Sequence, residues 1–591
     1  MKDFVKAMLA VICGFIVLRL LGLLLMLFFM GSALIGGSST SIPKDAVLDI
    51  NMSEFIVSEQ SQDTSMPDLS SLSSGGMTPQ IGLRDAVQAI RRAASDASIR
   101  FIFLRPDGAT AGTADLEELR IALSEFRTSG KPVLAYTENT GNGSYYLASV
   151  ADQVLMGSQH GSTYQLIGLS GRMVFLKDVL EKLGVNYQLI RHGKYKSAGE
   201  MFIRNSASPE NREQNARMIS SIWDTFGAHM ASSRDFTKDE LDLWIDGLAF
   251  NMPEDFLEKG LVDSLVDHEA LLQKLCTLAQ VDDPDKLHLV SLADYISARV
   301  SAFPSRSNVA VIYADGEIID GWDTKEISGD RFVSEIDKVR KDKSVKAVVL
   351  RVNSPGGSVS ASVKIRQALD LLQQEKPLVA SYGNYAASGG YWISNGCQKI
   401  YSDATCLTGS IGVFSMIPEF SKVTKKIGVN VETVGSHRHS DMYSLMRPFD
   451  SEELNYMQAS VEDIYESFVN LVATSRDKDP EYIDSIAQGR VWTGADALEI
   501  GLVDEIGTLE DAISYAAALA DMHSSDEYGV VAYPRPLTFM EQILESMGQS
   551  TTPSVLLEGT PFEAMGREME NVKAAENGTV FARLPYSIDI K

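Results

Sequence analysis

Ser388 stands in a segment whose composition suits nucleophilic chemistry. The segment is Asn384-Tyr385-Ala386-Ala387-Ser388-Gly389-Gly390-Tyr391, and it follows the apolar run 377–382, a predicted strand. Because its neighbours are small, Ser388 fits a tight strand-to-helix turn that opens its hydroxyl to a substrate and directs helix amides at developing negative charge. The alternative is a helix N-cap serine among packing glycines, which Ser-Gly-Gly alone does not exclude.

A serine hydroxyl is a poor nucleophile until a base takes its proton, and a neutral lysine amine can be that base. Two lysines of the first half, Lys194 and Lys196, lie in the segment Gly193-Lys194-Tyr195-Lys196-Ser197-Ala198. A lysine is charged at neutral pH unless it is buried or lies near other positive groups, so the site must supply one of these conditions. A solvated surface lysine is the alternative.

Backbone amides suited to stabilising an oxyanion occur in two places. Gly389 directly follows Ser388, and Gly356 lies in the turn Asn353-Ser354-Pro355-Gly356-Gly357 after a predicted strand. Glycine suits this role because no Cβ blocks the approach of a substrate. For Ser-Pro-Gly-Gly alone, an ordinary turn is the alternative.

The elements that must position these residues form an internal duplication. Five segments of the first half recur in the second half in the same order, at a slowly drifting offset of about 245 residues. The matches are 102–105 with 348–351, 134–136 with 379–381, 145–149 with 390–394, 183–186 with 427–430, and 260–263 with 501–504. The chain therefore contains two copies of one fold.

Each copy alternates strands with amphipathic helices, which predicts an α/β fold with right-handed crossovers. In the second copy the predicted strands are 309–313, 347–351, 377–382 and 399–402, and 359–375 is a predicted helix. Helix starts are predicted at 208–210 and 450–453. The domain assignment is 1–40 for the N-terminus and anchor, 41–305 for the first repeat with its linker, 306–523 for the second repeat, and 524–591 for a C-terminal extension.

The two copies differ at the residues with chemical potential. Gly143 stands where the second copy has Ser388, and Ser440 stands where the first copy has Lys196. The turn at 354–357 is matched in the first copy by Gly108-Ala109-Thr110-Ala111. Because each copy holds what the other lacks, the pattern favours one composite site, with the lysine from the first repeat and the serine and oxyanion turn from the second.

The first forty residues predict a membrane anchor. Arg19 is the one charged residue between Ala7 and Gly36, and 20–36 is an apolar run interrupted by Ser32. A spanning helix needs about 20 apolar residues, whereas a cleaved signal has a shorter apolar region. Because the positive charges lie on its N-terminal side, the N-terminus is predicted to stay in the cytoplasm and the body to cross the membrane. A cleaved signal is the alternative.

Composition excludes one class of partner and indicates no metal site. The net charge of −26 argues against nucleic acid, because phosphate binding needs clustered Lys and Arg. The eight histidines are scattered, and no zinc pattern is present. Cys397 and Cys406 lie close enough in the sequence for pairing to be conceivable, and this question stays open.

Taken together, four motifs resemble the signal peptide peptidase A family, also called protease IV, in its long duplicated bacterial form. The motifs are 193–198, 353–357, 387–392 and 407–412, and the likeness runs from the anchor to about Ala520. The resemblance implies a Clp/crotonase-like fold in each repeat, an anchor in the bacterial inner membrane, a periplasmic catalytic body and a homotetramer. It also implies a Ser–Lys serine protease that needs neither metal nor cofactor.

The resemblance also implies residue roles. Ser388 matches the family's nucleophile, and Lys196 matches its general base because the family's lysine precedes Ser-Ala; Lys194 is the competitor. Ser410 matches a hydroxyl that orients the lysine. The implied substrates are released signal peptides and other short or unfolded apolar peptides. One alternative is a non-catalytic binding chamber. The other is a crotonase-type acyl-CoA enzyme, and the predicted export of the body across the membrane argues against it.

Overall fold

The computed structural model describes residues 41–61, 79–299, 305–324, 326–524 and 526–535, and the backbone of 581–583. The predicted anchor and most of the predicted C-terminal extension lie outside these ranges. Within them, no helix is long and apolar enough to span a membrane.

The first repeat consists of a parallel sheet with helices packed against it. Its strands are β1 (Ala46–Asn51), β2 (Ile56–Ser58), β3 (Gln80–Gly82), β4 (Ile99–Arg105), β5 (Val133–Thr137), β6 (Gln153–Gly157), β7 (Asn186–His192), β8 (Ser264–Val266) and β9 (Leu289–Ser291). Its helices are α1 (Leu83–Ser95), α2 (Thr113–Arg127), α3 (Asn142–Ala148), α4 (Lys177–Leu183), α5 (Glu200–Ile203), α6 (Pro209–Ser233), α7 (Lys238–Asp246), α8 (Pro253–Glu258), α9 (His268–Ala279) and α10 (Leu292–Arg299). The strand order is β8-β6-β5-β4-β1-β9.

The second repeat has the same plan. Its strands are β10 (Asn308–Asp315), β11 (Ile318–Ile319), β12 (Ile327–Ser328), β13 (Val345–Ser354), β14 (Gly356–Ser358), β15 (Leu378–Ala387), β16 (Ile400–Ser402), β17 (Leu407–Gly409), β18 (Val413–Glu419), β19 (Val491–Thr493), β20 (Glu505–Ile506), β21 (Gly529–Tyr533) and β22 (Phe581–Arg583). Its helices are α11 (Gly329–Lys341), α12 (Val359–Glu375), α13 (Gly389–Ser394), α14 (Ser421–Lys426), α15 (Ser451–Arg476), α16 (Pro480–Ile486), α17 (Gly494–Glu499) and α18 (Leu509–Leu519). The main sheet has the order β19-β17-β15-β13-β10-β21.

Local sequence accounts for these elements. The central strands β10 and β13 are almost continuously apolar, as expected for parallel strands covered on both faces. The predicted helix 359–375 is α12, with the same bounds. Both predicted helix starts are present: the Ser208 hydroxyl accepts from the Asn211 amide at α6, and the Asp450 carboxylate accepts from the amides of Glu452 and Glu453 at α15.

The boundary of the C-terminal extension differs from the prediction. β21, residues 529–533, pairs in parallel with β10, just as β9 pairs with β1 in the first repeat. The start of the predicted extension therefore completes the second sheet. The sequence did not indicate this, because a short edge strand has little periodicity of its own.

A third sheet joins the repeats. Its strand order is β12-β11-β14-β22-β18-β7, and β7 of the first repeat pairs antiparallel with β18 of the second along its whole length. The ladder runs from Asn186 opposite Glu419 to His192 opposite Val413. Since Lys196 follows β7 and Ser410 precedes β18, this register brings the two predicted site segments together.

Cys397 and Cys406 are both free and buried, so they form no disulfide with each other.

Candidate active site

Ser388 lies between β15 and α13, at the predicted strand-to-helix turn. Its backbone has φ 54° and ψ −109°, a conformation that is unusual for a residue with a Cβ and that recurs at functional sites. Its side chain makes no capping hydrogen bond to α13, so Ser388 does not act as the N-cap serine of the alternative interpretation. The amide of Ser388 donates to Gly409 O at 2.8 Å, which ties the turn to β17.

Lys196 reaches Ser388 across the boundary between the repeats. Its Nζ lies 2.8 Å from Ser388 Oγ, 3.0 Å from Ser410 Oγ and 3.1 Å from Ser410 O. The lysine is 1% exposed and Ser388 is fully buried. Lys194, the competitor, is exposed, and its Nζ lies over the Tyr195 ring at 5.3 Å from the centroid. The structure therefore brings Lys196 to the serine and leaves Lys194 at the surface.

These contacts suit a neutral amine. A neutral lysine has two N–H groups and one lone pair, and taking the amine out of water favours this uncharged form. Nζ lies within hydrogen-bond distance of both Ser410 oxygens and of Ser388 Oγ, so in the neutral form the amine can donate to Ser410 and face the Ser388 hydroxyl with its lone pair. A lysine held in this way can accept a proton from the serine.

Two glycines form the cradle of Lys196. Gly193 has φ 100° and follows β7, and an added Cβ there would lie 2.4 Å from Gln488 O, whose carbonyl accepts from the Tyr195 amide. Gly489 has φ 79°, and an added Cβ would lie 2.5 Å from Lys196 Cβ. The backbone of the lysine turn thus packs directly on the chain of the second repeat. Close approach requires glycine at both positions.

Gly489→Ala is expected to displace the lysine. The new methyl group would collide with Lys196 Cβ, which adds an overpacking cost of about 1–3 kcal/mol to the cost of the left-handed backbone. A displaced amine should lower kcat by about 10–100-fold. Gly428→Ala is the matched control, because Gly428 has the same φ of +79° and nothing within 4 Å of the new Cβ. Equal effects of the two substitutions on kcat and melting temperature would contradict the claim that close packing of Gly489 on Lys196 positions the amine.

The predicted oxyanion turn packs against the helix that follows Ser388. β14 begins at Gly356, and an added Cβ at Gly390 would lie 2.8 Å from Ser354 O, so the turn lies against the first residues of α13. Gly356 has φ 103°, and its N–H donates to Ser354 Oγ at 3.2 Å. Gly389 is the first residue of α13, a position whose N–H has no partner within the helix.

The structure also contains a buried ionic cluster that was not predicted. Arg351 Nε lies 2.8 Å from Glu59 Oε2, and its Nη1 lies 2.9 Å from Glu118 Oε1 and 3.9 Å from Asp403 Oδ2. The arginine comes from β13 and two of the carboxylates come from the first repeat. The one signal in the sequence was an arginine within the apolar run of a predicted strand.

A second cluster lies around His439. Atoms of His439, Asp450 and Glu453 lie within 4.8 Å of one another. Arg447 donates to both Glu453 oxygens at 2.7 Å. These bonds, with those from the Asp450 amide and His439, lower the pKa of Glu453 to about 2 against the opposing effect of burial. A guanidinium thus supplies the positive charge that these carboxylates require, and the cluster is an ion-pair network.

Comparisons with known proteins place the chain in a family. The model of peptidase family S49 matches the chain twice, at residues 125–282 and 370–523. Protease 4 of Haemophilus influenzae is 34% identical over 518 residues, which are 85% of this chain and 83% of the relative. Protease 4 of Salmonella typhi is 36% identical over 552 residues, 89% and 87% of the two chains.

The likeness extends beyond bacteria. The chloroplastic serine protease SPPA of Arabidopsis thaliana is 30% identical over 503 residues, 82% of this chain and 74% of the relative. Each S49 match falls in one repeat, so the duplication deduced from the sequence is a duplication of the peptidase domain. The chain belongs to peptidase family S49 and is a serine protease with two copies of the family's domain.

Proposed function

We propose that this protein is a serine endopeptidase with a dyad split between its repeats, Ser388 as nucleophile and Lys196 as general base. One observation carries the proposal: a buried lysine Nζ of the first repeat lies 2.8 Å from a serine Oγ of the second. The serine has a strained backbone and the lysine is oriented by Ser410. Few structural roles would require this combination.

The proposed reaction begins when Ser388 Oγ attacks the carbonyl carbon of the scissile peptide bond while the Lys196 amine takes the hydroxyl proton. The oxyanion accepts hydrogen bonds from the amides of Gly389 and Gly356, the latter released from Ser354 Oγ. As the C–N bond breaks, the lysine ammonium returns its proton to the departing amine. A water then attacks the ester carbonyl and gives a proton to Lys196. The C–O bond to Ser388 breaks, the lysine ammonium returns the proton to Ser388 Oγ, and the product leaves as a carboxylic acid.

We further propose that the substrate binds as an extended strand beside Gly356. The backbone of β22 pairs antiparallel with β14 at residues 356–358 and meets β18 at Phe414, so this space accepts an extended chain. A peptide bound there would take the place of β22 and present a carbonyl near Ser388. Only an unfolded chain can add a strand in this way, which favours released signal peptides and other short apolar peptides.

The anchor and the assembly are part of the same proposal. Residues 20–36 would hold the protein in the bacterial inner membrane, with the catalytic body in the periplasm. Each repeat would have the Clp/crotonase-like fold, and a homotetramer would enclose the sites and restrict access to short or unfolded chains. Released signal peptides are apolar and remain in or near the membrane, so an anchored peptidase would meet them where they accumulate.

The test uses the full chain in lipid vesicles and three substrates: a synthetic signal peptide, the same sequence still joined to a folded protein, and a short-chain acyl-CoA. We expect fragments from the free peptide alone, detected by mass spectrometry. The Ser388→Ala protein is the blank in every assay. Equal cleavage of the joined and free peptides would exclude the proposed substrate class. Turnover of acyl-CoA would favour the crotonase-type alternative. The absence of any Ser388-dependent product would favour the binding chamber.

A further inference from the structure

Gln214 connects the two halves of the dyad. It lies on α6 of the first repeat and is 1% exposed. Its Nε2 donates to Tyr195 O and to Ser197 Oγ, each at 3.0 Å. These two acceptors flank Lys196 on either side, so the amide of Gln214 holds the lysine turn by its backbone and by its neighbour's hydroxyl.

The other end of the same amide binds the second repeat. Gln214 Oε1 accepts from the Val491 amide of β19 at 3.3 Å. Val491 is paired with Gly409 of β17, and the carbonyl of Gly409 accepts from the Ser388 amide at 2.8 Å. The next residue of the same segment, Ser410, contacts the lysine Nζ. Gln214 therefore binds the lysine turn directly, and it reaches the serine turn through Val491 and the Val491–Gly409 strand pair.

The orientation of this amide is decided by its partners. Tyr195 O can only accept and the Val491 N–H can only donate, so Nε2 must face the first and Oε1 the second. Of the common side chains, only a carboxamide of this length offers two donors and one acceptor in this arrangement. A buried amide with all of these bonds made is rigid, because breaking any one leaves a polar group unsatisfied.

We propose that Gln214 is a positioning residue that sets the distance between Lys196 Nζ and Ser388 Oγ. It does not touch the reacting atoms. It keeps the lysine turn in register with the β17–β19 ladder. The Lys196 amine then stays shielded from water and oriented toward the Ser388 hydroxyl. This inference rests on the proposed dyad, and it names the first-repeat residue through which the dyad is aligned.

The test compares Gln214→Met with Ser221→Ala in the full-length protein. Ser221 lies on the same helix and makes another buried hydrogen bond between the repeats, to Thr493 Oγ1 at 2.7 Å, with no contact to the lysine turn. We expect Gln214→Met to lower kcat by about 10–100-fold with KM unchanged within about twofold. Its kcat should also rise at a higher pH than in the wild type, because a loosened amine meets water and is protonated more readily. Ser221→Ala should lower the melting temperature without either effect.

Gln214→Glu supplies a second arm in case the methionine variant does not fold. Glutamate keeps the size and the acceptor, and when protonated it can still donate one hydrogen bond, but when ionised it donates none. The ratio of its kcat to that of the wild type should therefore fall as the pH rises, while the melting temperature is checked at each pH. If both Gln214 variants match Ser221→Ala in kcat and pH profile, the positioning role is excluded. If the wild type itself shows no Ser388-dependent hydrolysis, the proposed function fails instead.

Discussion

Lys196→Met and Ser388→Ala are each expected to lower kcat by at least about a thousandfold while the protein stays folded. Methionine preserves most of the length and apolar character of the lysine stem, so packing against Gly489 and Gly412 is retained and the amine alone is lost. In the proposed mechanism the amine is the group that takes the serine proton, and no other group replaces it. The proposed dyad acts as one unit, so the double variant should be no slower than the worse single variant. The measurement is hydrolysis of a fluorogenic apolar peptide, with melting temperatures for every variant.

Lys194→Met is the matched control for this experiment. Lys194 belongs to the same turn but is exposed, so its replacement should leave kcat within about twofold. Loss of activity in Lys194→Met with activity kept in Lys196→Met would transfer the role of base to Lys194. Activity unchanged by Ser388→Ala would refute the dyad altogether.

Arg351→Met is expected to be the most destabilising substitution outside the dyad. Arg351 is fully buried, and the three carboxylates around it have side chains that are 2% exposed. Removing the guanidinium leaves Glu59, Glu118 and Asp403 without their shared counter-charge, which typically costs about 3–5 kcal/mol. Because Glu59 and Glu118 come from the first repeat and Arg351 from the second, the contact between the repeats should weaken, and activity should fall with it.

The pH dependence of this effect follows from the carboxylates. Burial raises the pKa of Glu118 from about 4.5 to about 7, against the opposing effect of Arg351, and burial likewise raises the pKa of Asp403. The folded state then binds a proton that the unfolded state releases, so stability falls as pH rises from about 4.5 to about 7 and stays lower above it. The melting temperature should therefore decrease over this range in the wild type and more steeply in Arg351→Met.

Two variants check this assignment. Arg105 occupies the equivalent position in the first repeat and pairs with Asp49, but it is 34% exposed, so Arg105→Met should cost about 1 kcal/mol or less. Glu118→Gln mimics the protonated acid and should flatten the fall of melting temperature between pH 5 and pH 8. An equal loss in Arg105→Met and Arg351→Met, or an unchanged pH profile in Glu118→Gln, would contradict the account of the cluster.

The sequence by itself determined the local elements and the plan of the molecule. Apolar runs and glycine-flanked turns predicted the strand before Ser388 and the helix after it, because these depend on residues close in the chain. The structure extends that strand to Ala387, beyond the predicted end at 382, since the small residues before Ser388 add little hydrophobic signal. The duplication was visible from five short matches. The differences between the two copies predicted a composite site, with Lys196 from the first repeat and Ser388 from the second.

Only the tertiary structure decided which side chains meet. Burial separates Lys196 from Lys194, two residues apart, because the β7–β18 register turns one toward Ser388 and the other to solvent. Glu59 lies 292 positions from Arg351, and Val491 lies 277 positions from Gln214, where no periodicity or spacing indicates them. The physical reason is that hydrogen bonding and burial are properties of contacts between distant segments. Such contacts exist only after the two repeats pack together.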